Sequence, residues 1–156
     1  MPWPPGPRPV VIDANLALYA LNPFAAEREP VLALFARWRA ARRALLAPCL
    51  WPLEVASGLR KMASVGMLRP AEAQMLLEVF LTWEVRVLET DDETLRRAYA
   101  WAERLGQRVL YDSLYLALAE VQAADFWTAD RRLYRRAREA GASFVYLAEV
   151  GQGSGS

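Results

Sequence analysis

Histidine is absent from this 156-residue chain, and cysteine occurs once, at Cys49. The first absence removes every mechanism built on imidazole, including serine and cysteine triads and the usual zinc sites. The second rules out an intrachain disulfide. A chain of this length buries roughly 68–70% of the surface its unfolded form exposes, so neither a disulfide nor a structural metal is needed for folding. No apolar run approaches the roughly 18 residues of a membrane-spanning helix, and the N-terminus lacks the charged-then-apolar order of a signal peptide. The expectation is therefore a cytoplasmic chain with no membrane association. Any catalysis falls to carboxylates, hydroxyls, arginine or a bound ion.

Lysine also occurs once, as Lys61, among 19 basic residues that face 18 acidic ones, for a net charge of +1. That balance does not describe a general polyanion binder. The arginine bias suits bidentate phosphate contacts, and genome composition or a warm habitat accounts for it equally well. The distribution carries more information. Residues 28–43 hold five Arg against one Glu, a net of +4, whereas residues 71–93 hold seven acids against Arg86, a net of −6.

Five prolines within residues 1–9 describe an extended leader, and the Gly/Ser-rich end of residues 149–156 describes a flexible tail. Between them, residues 10–148 alternate short apolar runs with stretches of 3.6-residue periodicity. Strands are expected at 10–12, 44–47, 85–88, 125–128 and 144–147. Helices are expected near 14–21, 27–43, 52–65, 70–83, 91–105, 112–123 and 131–140. This order predicts an α/β fold with a short parallel sheet of about five strands wrapped by helices. Pro52 and Pro70 suit first helical turns, and Thr90 with Glu93 forms a capping box in which Asp91 and Asp92 complement the helix dipole.

Ligands of open parallel sheets bind outside the carboxyl ends of the strands. Four acids fall there: Asp13 after the first strand, Glu54 in the helix after the second, Asp112 at the start of its helix, and Asp130 after the fourth strand. A helix of about 12 residues descends roughly 18 Å, and four or five strand residues climb back roughly 13–17 Å. Asp112 and Asp130 should thus return to one edge. Each acid taken alone suits a helix cap or first turn. Four together repel one another unless a cation sits among them, and an all-oxygen set suits Mg²⁺ or Mn²⁺. Such an ion neutralises charge on a phosphodiester and lowers the pKa of a coordinated water, so no histidine is required.

The blocks Val11-Ile12-Asp13-Ala14-Asn15, Pro52-Leu53-Glu54-Val55-Ala56, Tyr111-Asp112-Ser113-Leu114-Tyr115 and Trp127-Thr128-Ala129-Asp130-Arg131 resemble, in order, the signature blocks of PIN-domain ribonucleases. The likeness is greatest to the VapC-type toxins of toxin–antitoxin pairs. The resemblance implies a three-layer α/β/α sandwich, a Mg²⁺ or Mn²⁺ site, RNA cleavage, a homodimer, and inhibition by a small antitoxin protein. It carries Asp13, Glu54, Asp112 and Asp130 over as the metal-binding, catalytic set, supported by Asn15 and Thr128, whose other reading is turn and cap chemistry.

Arg131 and Arg132 lie close enough to the acids to hold a substrate phosphate, and Arg60 with Lys61 offers a second basic surface. The group Arg37, Arg39, Arg42 and Arg43 offers a third. Trp51 presents a ring for stacking on an unpaired base, or simply for packing. Apolar stripes on 27–43 (Val31, Leu34, Phe35, Trp38) and 70–83 (Met75, Leu76, Val79, Phe80, Trp83) supply core, and any exposed remainder of the second would suit a basic amphipathic partner helix. The competing readings are a non-catalytic RNA- or protein-binding module and an RNA-processing nuclease without an antitoxin. An aspartyl-phosphate phosphatase is disfavoured, because no second acid follows Asp13 by two positions.

Overall fold

Each of the five short apolar runs becomes a strand of one sheet in the computed structural model, which describes residues 6–149. Residues 1–5 of the expected leader and 150–156 of the expected tail lie outside the described residues. The strands are β1 (Val10–Ile12), β2 (Leu45–Pro48), β3 (Arg86–Leu88), β4 (Asp125–Thr128) and β5 (Val145–Leu147). The helices are α1 (Ala14–Leu21), α2 (Arg28–Ala40), α3 (Trp51–Ser64), α4 (Pro70–Leu81), α5 (Asp92–Leu105), α6 (Tyr111–Val121) and α7 (Arg131–Glu139). All strand pairs are parallel, in the order β3-β2-β1-β4-β5. The all-apolar β1 sits at the centre and is wholly buried, as a strand covered on both faces must be.

The strand order fixes the layers. From β1 the chain moves outward through β2 to β3, then returns past β1 to β4 and β5. Right-handed crossovers in opposite directions place their helices on opposite faces. Helices α1 to α4 therefore form one layer, and α5 to α7 the other. Side chains on β4 show the division. Phe126 stacks on Tyr115 of α6 at 5.4 Å, and the next residue, Trp127, meets Trp38 of α2 on the other side at 5.4 Å.

One local expectation changes. The N-cap of α5 is Asp91, whose carboxylate accepts from the Thr94 amide at 2.8 Å, rather than Thr90 paired with Glu93. Asp91 holds the extended backbone that a cap requires, while Glu93 is free to pair with Arg97 one turn on, and Thr90 contacts Cys49. Just before β1, Pro9 is buried and its carbonyl accepts from the Asp125 amide at 2.9 Å, the bond that opens the β1–β4 ladder at Val10 and Asp125.

At this amino edge Asp125 takes an ion pair from Arg8 at 2.9 Å and a second from Arg43. Arg43 also donates to the Arg8 carbonyl at 2.8 Å, so one member of the third basic group is committed to structure. Asp125→Ala leaves both guanidiniums without their acid. It should cost about 2 kcal/mol, read as a fall of about 5 °C in Tm by calorimetry. An unchanged Tm would show that the clamp contributes nothing.

Candidate metal centre at the carboxyl edge of the sheet

The reversal of strand order falls between β1 and β4, which is where an open parallel sheet leaves a crevice. Asp13 follows β1 and caps α1, its Oδ1 accepting from the Ala14 amide at 2.8 Å. Its Oδ2 accepts from the Thr128 hydroxyl at 2.7 Å across the crevice. Thr128 Oγ1 in turn accepts from the Asp130 amide at 3.0 Å, and Asn15 Oδ1 accepts from the Ala129 amide at 3.2 Å. Asn15 Nδ2 stands 3.4 Å from both Asp13 Oδ2 and Thr128 Oγ1. Asn15 and Thr128 thus hold the 128–130 turn against Asp13, which makes their turn chemistry and their support of the site one arrangement.

The other three acids arrive on helices. Glu54 sits in the first turn of α3 after β2, and Gly58, one turn further along, faces α1. A Cβ at Gly58 would stand 2.4 Å from Leu18 Cδ1, so the bare backbone is what lets α3 approach α1, and Glu54 the end of β1. Asp112 occupies the first turn of α6, where Gln107 reaches it at 3.5 Å and is itself held by Ser113 at 2.6 Å. Asp130 caps α7 through the Leu133 amide at 3.0 Å and lies exposed at the rim.

These carboxylates oppose one another electrostatically. Asp13 is 8% exposed, and burial pushes its pKa from 3.8 to about 7, with Asp112 and Glu54 adding to the rise while the Thr128 hydrogen bond and the Ala14 amide resist it. Glu54 is raised by desolvation against the pull of its hydrogen bond from Tyr115, and Asp112 adds to the rise. Asp112 is raised by desolvation and then by Asp130. The donor chemistry fits a hard divalent cation: all oxygen, negative and mutually repelling. Among the described residues no three acidic or thiol groups close round a single point, so an ion held here would keep several water ligands, as Mg²⁺ does.

The remaining site expectations divide. Arg131, Arg132, Arg60 and Lys61 are exposed. Trp51 is corrected: at 2% exposure it is packed on Phe80 at 4.9 Å and offers no ring to a base. The apolar residue at the start of α3 is drawn into the α3–α4 interface by its own hydrophobic area. The open ring at this edge is Tyr111, 63% exposed and adjacent to Asp112. Two further site residues escaped the sequence reading. Gln107 lies in a loop without periodicity, and Tyr115 read as one more apolar position of a buried helix.

A family model described as the PIN domain matches residues 10–139. The chain belongs to the PIN-domain family. Among solved structures it is similar to a protein of Pyrobaculum aerophilum, PAE2754, at 30% identity and a TM-score of 0.58, covering 83% of this chain and 79% of that one. A toxin–antitoxin complex from Klebsiella pneumoniae gives 16% identity and a TM-score of 0.60 over 91% of this chain and 99% of that one. The Sarcin-Ricin loop cleaving toxin VapC20 of Mycobacterium tuberculosis gives 15% and 0.59 over 85% and 95%. No curated protein sequence matches the chain.

The raised pKa of Asp13 has a thermodynamic consequence. The folded state holds a proton that the unfolded chain releases, so the penalty is absent below pH 3.8, grows as pH rises toward 7, and is constant above. In chelator at pH 8, Asp13→Asn should melt on the order of 5 °C above the parent, and the gap should narrow as pH falls toward 4.5. Equal melting temperatures at pH 8 would contradict this account.

Proposed function

We propose that this protein is a Mg²⁺- or Mn²⁺-dependent endoribonuclease and the toxin of a toxin–antitoxin pair. One observation carries the reading. Asp13, Glu54, Asp112 and Asp130 come from four separate stretches of sequence and gather at one sheet edge, where Asp112 and Glu54 oppose ionisation of Asp13, Asp112 opposes that of Glu54, and Asp130 that of Asp112. The structural acid of the opposite edge, Asp125, is instead clamped by Arg8 and Arg43.

In this reading Asp13, Glu54 and Asp112 would hold the ion, no more than two of them directly and the rest through its water ligands, with Asp130 at the rim. A bound ion supplies charge neutralisation at the scissile phosphate and activates water, the two tasks that no side chain here performs. The chain's own residues arrange the rest. Thr128 and the Ala14 amide orient Asp13, Asn15 locks the turn that carries Asp130, and Gln107 orients Asp112. Arg131, Arg132, Arg60 and Lys61 flank the edge as contacts for the phosphate backbone, which positions a substrate without reading its sequence. Attack in line with the leaving oxygen leaves a 5′-phosphate and a 3′-hydroxyl.

Cleavage of RNA by the purified chain should stop on chelation and return with Mn²⁺. Glu54→Gln and Asp112→Asn should each lower the rate about 100-fold or more while the fold persists by circular dichroism. Asp130→Asn should also lose activity but keep its Tm, since Asn caps a helix as well as Asp does. Cleavage that survives chelation would defeat the metal assignment. A folded chain that binds RNA without cutting it would instead be the non-catalytic module.

A partner surface supports the toxin part of the reading. On α4, Phe80 and Ala73 enter the core, whereas Met75 and Val79 stay 61% and 46% exposed within the −6 segment. The stripe on α2 leaves less, because Val31, Phe35 and Trp38 are buried and Leu34 is half-buried. An apolar patch on a helix that carries Glu72 and Glu78, in a segment of net charge −6, fits a basic amphipathic segment of a small antitoxin. Co-expression with the adjacent short reading frame should yield a complex lacking ribonuclease activity, and Val79→Arg should release the partner without lowering Tm. Active nuclease with no co-purifying neighbour would indicate an RNA-processing enzyme. A second copy of the chain on the same face is the homodimer alternative, which light scattering of the free protein separates.

A further inference from the structure

We infer that Tyr115 is a positioning residue that sets the carboxylate of Glu54 before any ion arrives, a role that rests on the metal-centre reading proposed above. Tyr115 follows Asp112 by three residues on α6 and is 1% exposed. Its ring stacks on Phe126 of β4 with centroids 5.4 Å apart and planes at 29°, which leaves the side chain little freedom. A buried phenol needs a hydrogen-bond partner. The Tyr115 hydroxyl finds one outside its own layer, donating to Glu54 Oε1 at 2.8 Å.

The position of that bond in the fold gives it its effect. Helices α3 and α6 belong to opposite layers, so the bond passes the carboxyl edge of the sheet and ties the Glu54 carboxylate of one layer to α6, the helix that carries Asp112, in the other. Glutamate has three side-chain torsions and loses substantial rotamer freedom on being fixed. Glu54 is only half-buried, and the Tyr115 hydroxyl anchors its carboxylate. Asp13 has Thr128 for the same purpose, and Asp112 has Gln107. Each of the three acids therefore has a neutral side-chain donor, and Tyr115 is the one that spans the layers. Neutral partners orient a carboxylate without cancelling the charge that a cation needs.

The test is calorimetric titration of Mn²⁺ into the full chain. Tyr115→Phe keeps the ring and its stack on Phe126 and removes only the hydroxyl. Mn²⁺ binding should weaken about tenfold, a loss typical of partners that orient metal ligands. The decisive comparison is the cycle with Glu54→Gln. If Tyr115 acts through Glu54, adding Tyr115→Phe to Glu54→Gln causes no further loss of Mn²⁺ affinity, whereas a general packing defect lowers affinity equally in both backgrounds. Parental Mn²⁺ affinity in Tyr115→Phe, or an equal loss in both backgrounds, overturns the inference and leaves the metal centre standing. A parent that binds no Mn²⁺ overturns the metal-centre reading and this inference with it.

Discussion

The hydrogen bond from Thr128 to Asp13 joins the two central strands at the one place where the sheet changes direction, and the rest of the site is arranged around it. Asp13 is buried because β1 is the middle strand and α1 begins at once. Burial alone would make its charge costly, and the hydroxyl of Thr128 and the amide of Ala14 offset part of that cost. The same hydroxyl accepts the Asp130 amide, so the geometry of the β1–β4 crevice and of the α7 cap are set together. Glu54 and Asp112 then approach from opposite layers, one over a bare Gly58 and the other beside Gln107.

The two edges of the sheet treat the same chemistry in opposite ways. At the amino edge Asp125 is met by Arg8 and Arg43, and the result is a charge clamp. At the carboxyl edge four acids are met by Thr128, Asn15, Tyr115 and Gln107, which orient without neutralising. Arg136 and Arg138, further along α7 from Asp130, donate to the carbonyls of Leu105 and Val145. The contrast sustains the functional reading better than any single distance, because carboxylates that oppose one another's ionisation are a cost that packing does not require.

Much of this was legible beforehand for identifiable reasons. The strands were found because a strand buried on both faces must be apolar throughout, and the helices between them because one face of each must be apolar at 3.6-residue intervals. The acids were found because the alternation of strand and helix places their positions at one edge. Boundaries shifted by a residue or two where ladder pairing decides them, as at Leu45–Pro48 in place of 44–47. The cap at Asp91 was misplaced because Thr90, Asp91 and Asp92 are all competent caps, and only the backbone conformation selects among them.

What the sequence determined by itself is whatever depends on neighbours along the chain: periodicity, strand–helix order, the absence of imidazole chemistry, and the family pattern of four acidic blocks. What only the tertiary structure decided depends on residues far apart in sequence. Trp51 and Tyr111 are both aromatic residues at helix starts beside an acid, yet the first is sealed against Phe80 and the second is open. Tyr115 is one of seven consecutive buried residues of α6, and nothing local distinguishes it. It acquires a partner because the crossover rule puts α3 in the opposite layer and the short β2 ends where Glu54 can reach over the edge. Side-chain partners 61 positions apart are a property of the folded topology, and no window along the chain contains both.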